Sequence, residues 1–114
     1  MDNNHVRLDS VFHALADPTR RAVVQQLTRG PSSISDLAAP FPMALPSFMK
    51  HISVLERSGL VGSRKVGRVR TCRLVPRALD AAERWFDEQR RIYAARYDNL
   101  DALLGEIEGE NDNG

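Results

Sequence analysis

The run Leu45-Pro46-Ser47-Phe48-Met49-Lys50-His51-Ile52-Ser53-Val54-Leu55-Glu56-Arg57-Ser58-Gly59 is continued by Leu60-Val61-Gly62-Ser63-Arg64-Lys65-Val66-Gly67-Arg68-Val69-Arg70-Thr71-Cys72-Arg73-Leu74, and its apolar period changes at the join. Leu45, Phe48, Ile52 and Leu55 keep helical spacing until Ser58 and Gly59, where a helix should stop. Pro46 fits only the first turn of that helix, where backbone amides have no helical partner, and Ala44 before it is a weak cap. From Leu60 the pattern is different. Val66-Gly67-Arg68 is a turn signal flanked by two short runs, Leu60 to Lys65 and Val69 to Leu74, which predicts a small β-hairpin with an arginine at its tip.

Upstream, Leu8, Val11, Phe12 and Leu15 predict a short amphipathic helix over about 8–16. Asp17 offers an N-cap and Pro18 a first-turn residue for a second helix, whose Ala22, Val23 and Leu27 face a core and which Gly30 and Pro31 end. Ser33 with Asp36 three residues later resembles a capping pattern, and Ile34, Leu37 and Ala38 give a third, short helix an apolar face that must end by Pro40. Pro40-Phe41-Pro42 is a stiff connector. Downstream, Pro76 closes the hairpin and opens a long pattern in which Leu79, Ala82, Phe86, Tyr93, Leu100, Leu103, Leu104 and Ile107 lie near one broad stripe. A helix over about 77–104 would run ~42 Å at 1.5 Å per residue, more than so small a domain can cover. The expected organisation is a flexible start over 1–7, one domain over 8–104 and an acidic, disordered tail over 105–114.

A chain of 114 residues suits one compact domain. Its 42% apolar and 27% charged content are those of a soluble globular protein, and no apolar run approaches the ~20 residues that would span a bilayer. The first ten residues, with Asp2, Arg7 and Asp9, do not read as a signal peptide. Cys72 stands alone, so no intramolecular disulfide is expected, in keeping with a cytoplasmic location. The net charge of +1 conceals a separation of signs. From Pro46 to Arg73 stand Lys50, Arg57, Arg64, Lys65, Arg68, Arg70 and Arg73 against Glu56 alone. After Arg96 come Asp98, Asp101, Glu106, Glu108, Glu110 and Asp112 with no basic residue. A basic middle segment suggests either a local anionic partner or a merely solvated basic hairpin.

The element order α-α-α-α-β-β-α, mainly helical with a small β-hairpin, is that of a winged helix-turn-helix followed by an extra helix. Three segments carry a more specific likeness: Ala14-Leu15-Ala16-Asp17-Pro18-Thr19-Arg20-Arg21, Phe41-Pro42-Met43-Ala44-Leu45-Pro46-Ser47-Phe48-Met49-Lys50-His51, and Leu55-Glu56-Arg57-Ser58-Gly59-Leu60-Val61. From about Val11 to Leu104 the chain closely resembles the arsenic-repressor-type (ArsR) family, most of all the branch that lacks metal-sensing cysteines. The resemblance implies a DNA-binding transcriptional regulator, usually a repressor and often of its own gene. It implies that the third and fourth helices form the helix-turn-helix, the fourth in the major groove and the hairpin a wing. It also implies a homodimer held by the first and last helices, through Leu8, Val11, Phe12, Trp85, Phe86, Tyr93, Tyr97, Leu100 and Leu104. A stripe of this kind also suits an intrachain core or a small-molecule pocket. Two-fold symmetry would set the recognition helices ~34 Å apart and call for an inverted-repeat operator of duplex DNA.

The buried stripe of the fourth helix leaves Pro46, Ser47, Lys50, Ser53 and Arg57 outward, with His51 on the flank. Lys50 is the leading candidate for a base or phosphate contact, against a snorkelling surface lysine as the competing reading. Ser47 and His51 join it through the resemblance, while His51 could instead be a packed, hydrogen-bonded histidine. Many members of the family carry a small polar residue where Met49 stands, so operator sequence does not transfer. Phe48 and Met49 read as core rather than as a stacking platform. In the wing, Arg68 suits a narrow minor groove, whereas Arg64, Lys65 and Arg70 on the strands suit phosphates. Their alternative is protection of an edge strand from aggregation.

No cofactor is expected, and no metal site, because the third helix has no cysteine and the last helix no histidine. His5 and His13 are isolated. Cys72 alternates with Leu74 and reads as half-buried packing, though nearby arginines leave a redox effector open beside an unknown small-molecule one. No paired nucleophile and base, phosphate loop or metal cluster supports an enzyme. The remaining alternative is a winged-helix module that binds protein through its basic face. Zinc, cadmium or arsenite at modest excess should leave DNA affinity within about twofold, because an effector shifts binding only through differential affinity. A stoichiometric metal site coupled to DNA release, seen by titration, would contradict this.

Overall fold

Side-chain caps set where the second and third helices start. In the computed structural model, which describes residues 7–111, α1 spans Leu8–Leu15 and α2 spans Pro18–Leu27. Between them Asp17 is extended, and its carboxylate accepts from the Arg20 backbone amide at 3.0 Å, occupying a donor that the first turn of α2 would leave unpaired. α3 spans Ile34–Ala38 and starts the same way, with the Ser33 hydroxyl accepting from the Asp36 amide at 3.1 Å. α4 spans Leu45–Ser58 and has no side-chain cap at Ala44. Gly59, at φ 84°, ends α4 in the left-handed region that a side chain would disfavour.

β2 (Val61–Val66) and β3 (Val69–Leu74) form the expected hairpin. Gly67 at φ 63° takes the first central position of a two-residue turn, and Arg68 the second. Only the first has positive φ, the pattern of a type II′ turn whose twist matches the strands. The sequence reading had no third strand. Ser32–Ser33 forms β1 and pairs antiparallel with β3, Ser32 opposite Cys72 and Ser33 opposite Thr71, giving the sheet order β1-β3-β2. A two-residue strand built from serines carries no alternation to detect.

Val11, Ala14, Val23, Leu27, Leu37, Phe48, Ile52, Leu55, Leu60, Cys72 and Ala78 form the core, with Phe41 stacked on Phe48 at 5.5 Å between ring centroids. The expected stripe of α4 is therefore the buried one, except that Leu45 is exposed. Val11 departs from expectation. It has no exposed surface in the single chain and packs in its own core, so it cannot be an interface residue.

α5 spans Pro76–Asn111. The helix therefore passes Leu104 and takes in residues 105–111, which were expected to be a disordered tail; residues 1–6 and 112–114 lie outside the described residues. The chain gathers into two units that part between Ala82 and Glu83. No helix among the described residues is long and apolar enough to cross a membrane.

Asp17→Ala should lower stability by about 1 kcal/mol, read as a shift of the denaturant midpoint at unchanged slope. The Arg20 amide chiefly, and the charges of His51 and Arg20, hold the Asp17 carboxyl below its ordinary value of 3.8 against an opposing effect of burial. A lowered native pKa means that the contribution is complete above the ordinary value and is lost as pH falls through the native one. Wild type and variant should therefore converge in stability below about pH 4. A constant gap into acid would contradict the cap.

Candidate nucleic-acid interface

α4 presents its polar face as the heptad spacing requires: Pro46, Ser47, Lys50, Ser53 and Arg57 are all exposed while Phe48, Ile52 and Leu55 are buried. The exposed set divides along the helix. Ser47 and Lys50 stand in the N-terminal half. Arg57, in the last turn, lines a small cavity of ≈ 290 Å³ with Asp9, Ser10 and His13 of α1, which places it beside that helix rather than the wing.

His51 is half-buried and engaged. Arg20 Nη1 lies 3.0 Å from His51 Nδ1, and Asp17 Oδ2 lies 3.7 Å from the same nitrogen. A guanidinium can only donate, so when the ring is neutral Nδ1 is the acceptor in this contact. The packed, hydrogen-bonded role thus describes Nδ1, and His51 serves first to hold α4 against α2.

In the wing, residues paired across the strands share a face. Ser63 opposes Cys72 and Lys65 opposes Arg70, so these four share one face; Arg64 opposes Thr71 and Gly62 opposes Arg73 on the other. Arg73 folds over Gly62 so closely that a Cβ there would come 2.8 Å from its guanidinium. Arg64, Lys65 and Arg68 are exposed. Arg70 is not available as expected: its Nη2 donates to Glu56 Oε2 at 2.6 Å and its Nε to Ser63 Oγ at 3.1 Å, and the Ser63 hydroxyl also donates to Glu56 Oε2. The carboxylate competes for Arg70 with any phosphate.

Between these elements lies a cleft of ≈ 510 Å³ lined by Ser33, Ile34 and Ser35 at the start of α3, Met49 of α4, and Lys65, Arg68, Val69 and Arg70 of the wing. Met49, read from the sequence as core, is partly exposed along this cleft. The sequence reading missed Ser35 and the cleft role of Ser33, because the α3 start was legible only as a cap. It also missed Glu56, which charge counting had set aside as the one acid among bases.

The helix-turn-helix domain family model matches residues 15–64, from the end of α1 into β2. The HTH-type transcriptional regulator Rv2034 of Mycobacterium tuberculosis is 40% identical over 73 residues, which are 64% of this chain and 68% of that protein. The arsenical resistance operon repressor of Escherichia coli is 32% identical over 90 residues, 74% of this chain and 77% of that protein. Among solved structures, a crystal structure described as an ArsR family transcriptional regulator matches with a TM-score of 0.74 at 54% identity, covering 76% of this chain and 90% of that one.

Cys72 is fully buried on β3. Burial above all, and the Glu56 carboxylate, push its thiol above the ordinary 9.0, partly offset by Arg70. A protonated, enclosed thiol is a poor nucleophile. Among the described residues no three His, Cys, Asp or Glu side chains group to hold a metal ion. An aromatic disulfide reagent should therefore label native Cys72 only at the rate of opening, with labelling rising in step with denaturant unfolding. Fast stoichiometric labelling of the folded protein would reinstate a redox role.

Proposed function

The chain belongs to the ArsR family of winged helix-turn-helix transcriptional regulators, and from that membership we propose that it is a repressor binding an inverted-repeat operator as a homodimer. In this reading the N-terminal half of α4 enters the major groove, and the wing meets the adjacent minor groove or backbone. One observation carries it. Exposed Lys65 and Arg68 of the wing line a cleft together with Met49 of α4 and the α3 start, and Ser47 and Lys50 are exposed on the same helix as Met49. A duplex lying along such a surface meets donors from two elements, and a local cationic field of this kind matters more for DNA than the total charge of +1.

Dimerisation has its own support in each unit. In the first, Leu8 and Phe12 of α1 are partly exposed. In the second, Trp85, Phe86, Tyr93, Leu100 and Leu104 are between 41% and 67% exposed, far more large apolar surface than a solvated helix needs. Tyr97 belonged to the same expectation, and its side chain lies outside the described residues. Isologous pairing of these faces would cover the stripe and give the operator its symmetry.

The test takes as its probe an inverted repeat sought in the DNA upstream of the gene, with Lys50→Ala and Arg68→Ala. Sedimentation should give a dimer at micromolar concentration, free and on the probe. If Lys50 reaches a base edge, its loss should cost ~1–3 kcal/mol on the probe and much less on random duplex. Arg68→Ala should weaken binding and reduce the salt slope by about one unit, as one counterion accompanies each phosphate or groove contact. Wild type and both variants binding alike across a salt titration, with fold intact, would transfer the reading to a protein partner.

A further inference from the structure

We propose that Glu56 is a positioning residue that locks the wing to the recognition helix, so that the two meet DNA at a fixed separation. The proposal rests on the DNA-binding reading above and adds to it a residue that carries the wrong charge to touch a phosphate.

The geometry is a closed ring of three side chains from three elements. Glu56 Oε2 on α4 accepts from Arg70 Nη2 on β3 and from the Ser63 hydroxyl on β2, and Arg70 Nε donates to the same hydroxyl. Both strands of the wing are thereby tied to one carboxylate oxygen of α4. Glu56 and Arg70 are each partly shielded, with side chains 23% and 38% exposed, so the pair is less weakened by water than a fully solvated one.

The position of this ring along the hairpin gives it leverage. Apolar anchoring is confined to the base, where Val61 and Cys72 are buried and the Val75 amide donates to the Leu60 carbonyl at 2.9 Å. Toward the tip, every residue from Arg64 to Val69 is exposed. Among the described residues the ring is the outermost contact the hairpin makes with α4 through charged side chains; β1 supports β3 only as far as Thr71, and beyond it the hairpin is a two-stranded ribbon of a kind that is marginal in water by itself. Arg68 lies two residues beyond Arg70, at ~7 Å for strand spacing. Without the ring, the ribbon beyond the β1 pairing at Thr71 would swing about that point, and Arg68 would spread over more positions relative to Lys50. With it, a contact by Arg68 is made at little ordering cost.

Two measurements on the full chain test this, using Glu56→Gln, which keeps the shape and removes the charge, and Arg70→Met as a second route to the same loss. Circular dichroism controls for folding. In the DNA-free protein, amides of 64–70 should exchange with deuterium about fivefold faster in either variant while α2 is unchanged, as expected for local release of a weak ion pair. The double variant Glu56→Arg with Arg70→Glu should restore protection. On the palindromic duplex, Arg68→Ala should cost roughly three- to tenfold in the wild-type background but less than about twofold in Glu56→Gln, since an unpositioned tip has less to lose. A purely stabilising Glu56 would leave the cost of Arg68→Ala unchanged, although the two residues do not touch. Wing exchange identical in wild type and both variants overturns the lock. Equal Arg68→Ala losses in the two backgrounds, with wild type binding the duplex, overturn the positioning role alone. Failure of wild type to bind the duplex overturns the DNA-binding reading and the positioning role together.

Discussion

The helical half of this protein depends on one guanidinium. Arg20 donates from Nε to the Ala14 carbonyl at 2.8 Å, from Nη2 to the His13 carbonyl at 3.1 Å and from Nη1 to His51 on α4 at 3.0 Å. The last carbonyls of α1 have no partner within their helix, and Arg21 serves Leu15 in the same way at 2.9 Å. The backbone amide of Arg20 meanwhile goes to Asp17. A single residue therefore closes the end of one helix, takes part in the start of the next and seats α4. Lysine could not substitute, since its three donors radiate from one nitrogen whereas the planar fork reaches separate acceptors.

That use of cations decides which remain for an anionic partner. Arg20, Arg21 and Arg70 are committed to acceptors within the chain, and Arg57 stands beside α1. Lys50, Arg64, Lys65 and Arg68 keep exposed side chains and no hydrogen bond or ion pair within the described residues. A charge count along the sequence treats both sets alike, but their consequences differ. Releasing a counterion from DNA requires a cation that is not already paired, and a paired one must first break its own contact.

Most of the fold was legible because its signals are local. Asp17-Pro18, Ser33 with Asp36, Ser58-Gly59 and Gly67-Arg68 each specify a start, a stop or a turn within four residues, and the caps of Asp17 and Ser33 and the bends at Gly59 and Gly67 lie there. What escaped was long-range or lacked contrast. β1 is two serines whose pairing with Cys72 and Thr71 depends on a strand some forty residues away. The extension of α5 to Asn111 runs through Gly105 and a set of acids that read as a solvated tail, since helix formation there is not announced by a cap. Val11 sat in the same stripe as Leu8 and Phe12, and periodicity gives a face without saying whether the chain itself or a second copy covers it. Arg70 was taken for a phosphate contact because the sequence does not show that its cross-strand face turns toward Glu56.

α4 is held in three places. The core stripe of Phe48, Ile52 and Leu55 fixes its rotation, Arg20 fixes its middle at His51, and the wing grips its last turns at Glu56. The N-terminal turns carry Pro46, Ser47 and Lys50 on exposed positions, after a Pro40-Phe41-Pro42 connector whose Phe41 stacks on Phe48. A surface meant to read shape and hydrogen-bond pattern gains from a rigid backbone under mobile side chains, because ordering the backbone at the moment of binding would be subtracted from affinity. The polar ties of α4 lie on its middle and C-terminal turns and Phe48 holds its first turn from the core side, so that the outward face of the N-terminal turns stays exposed for a partner.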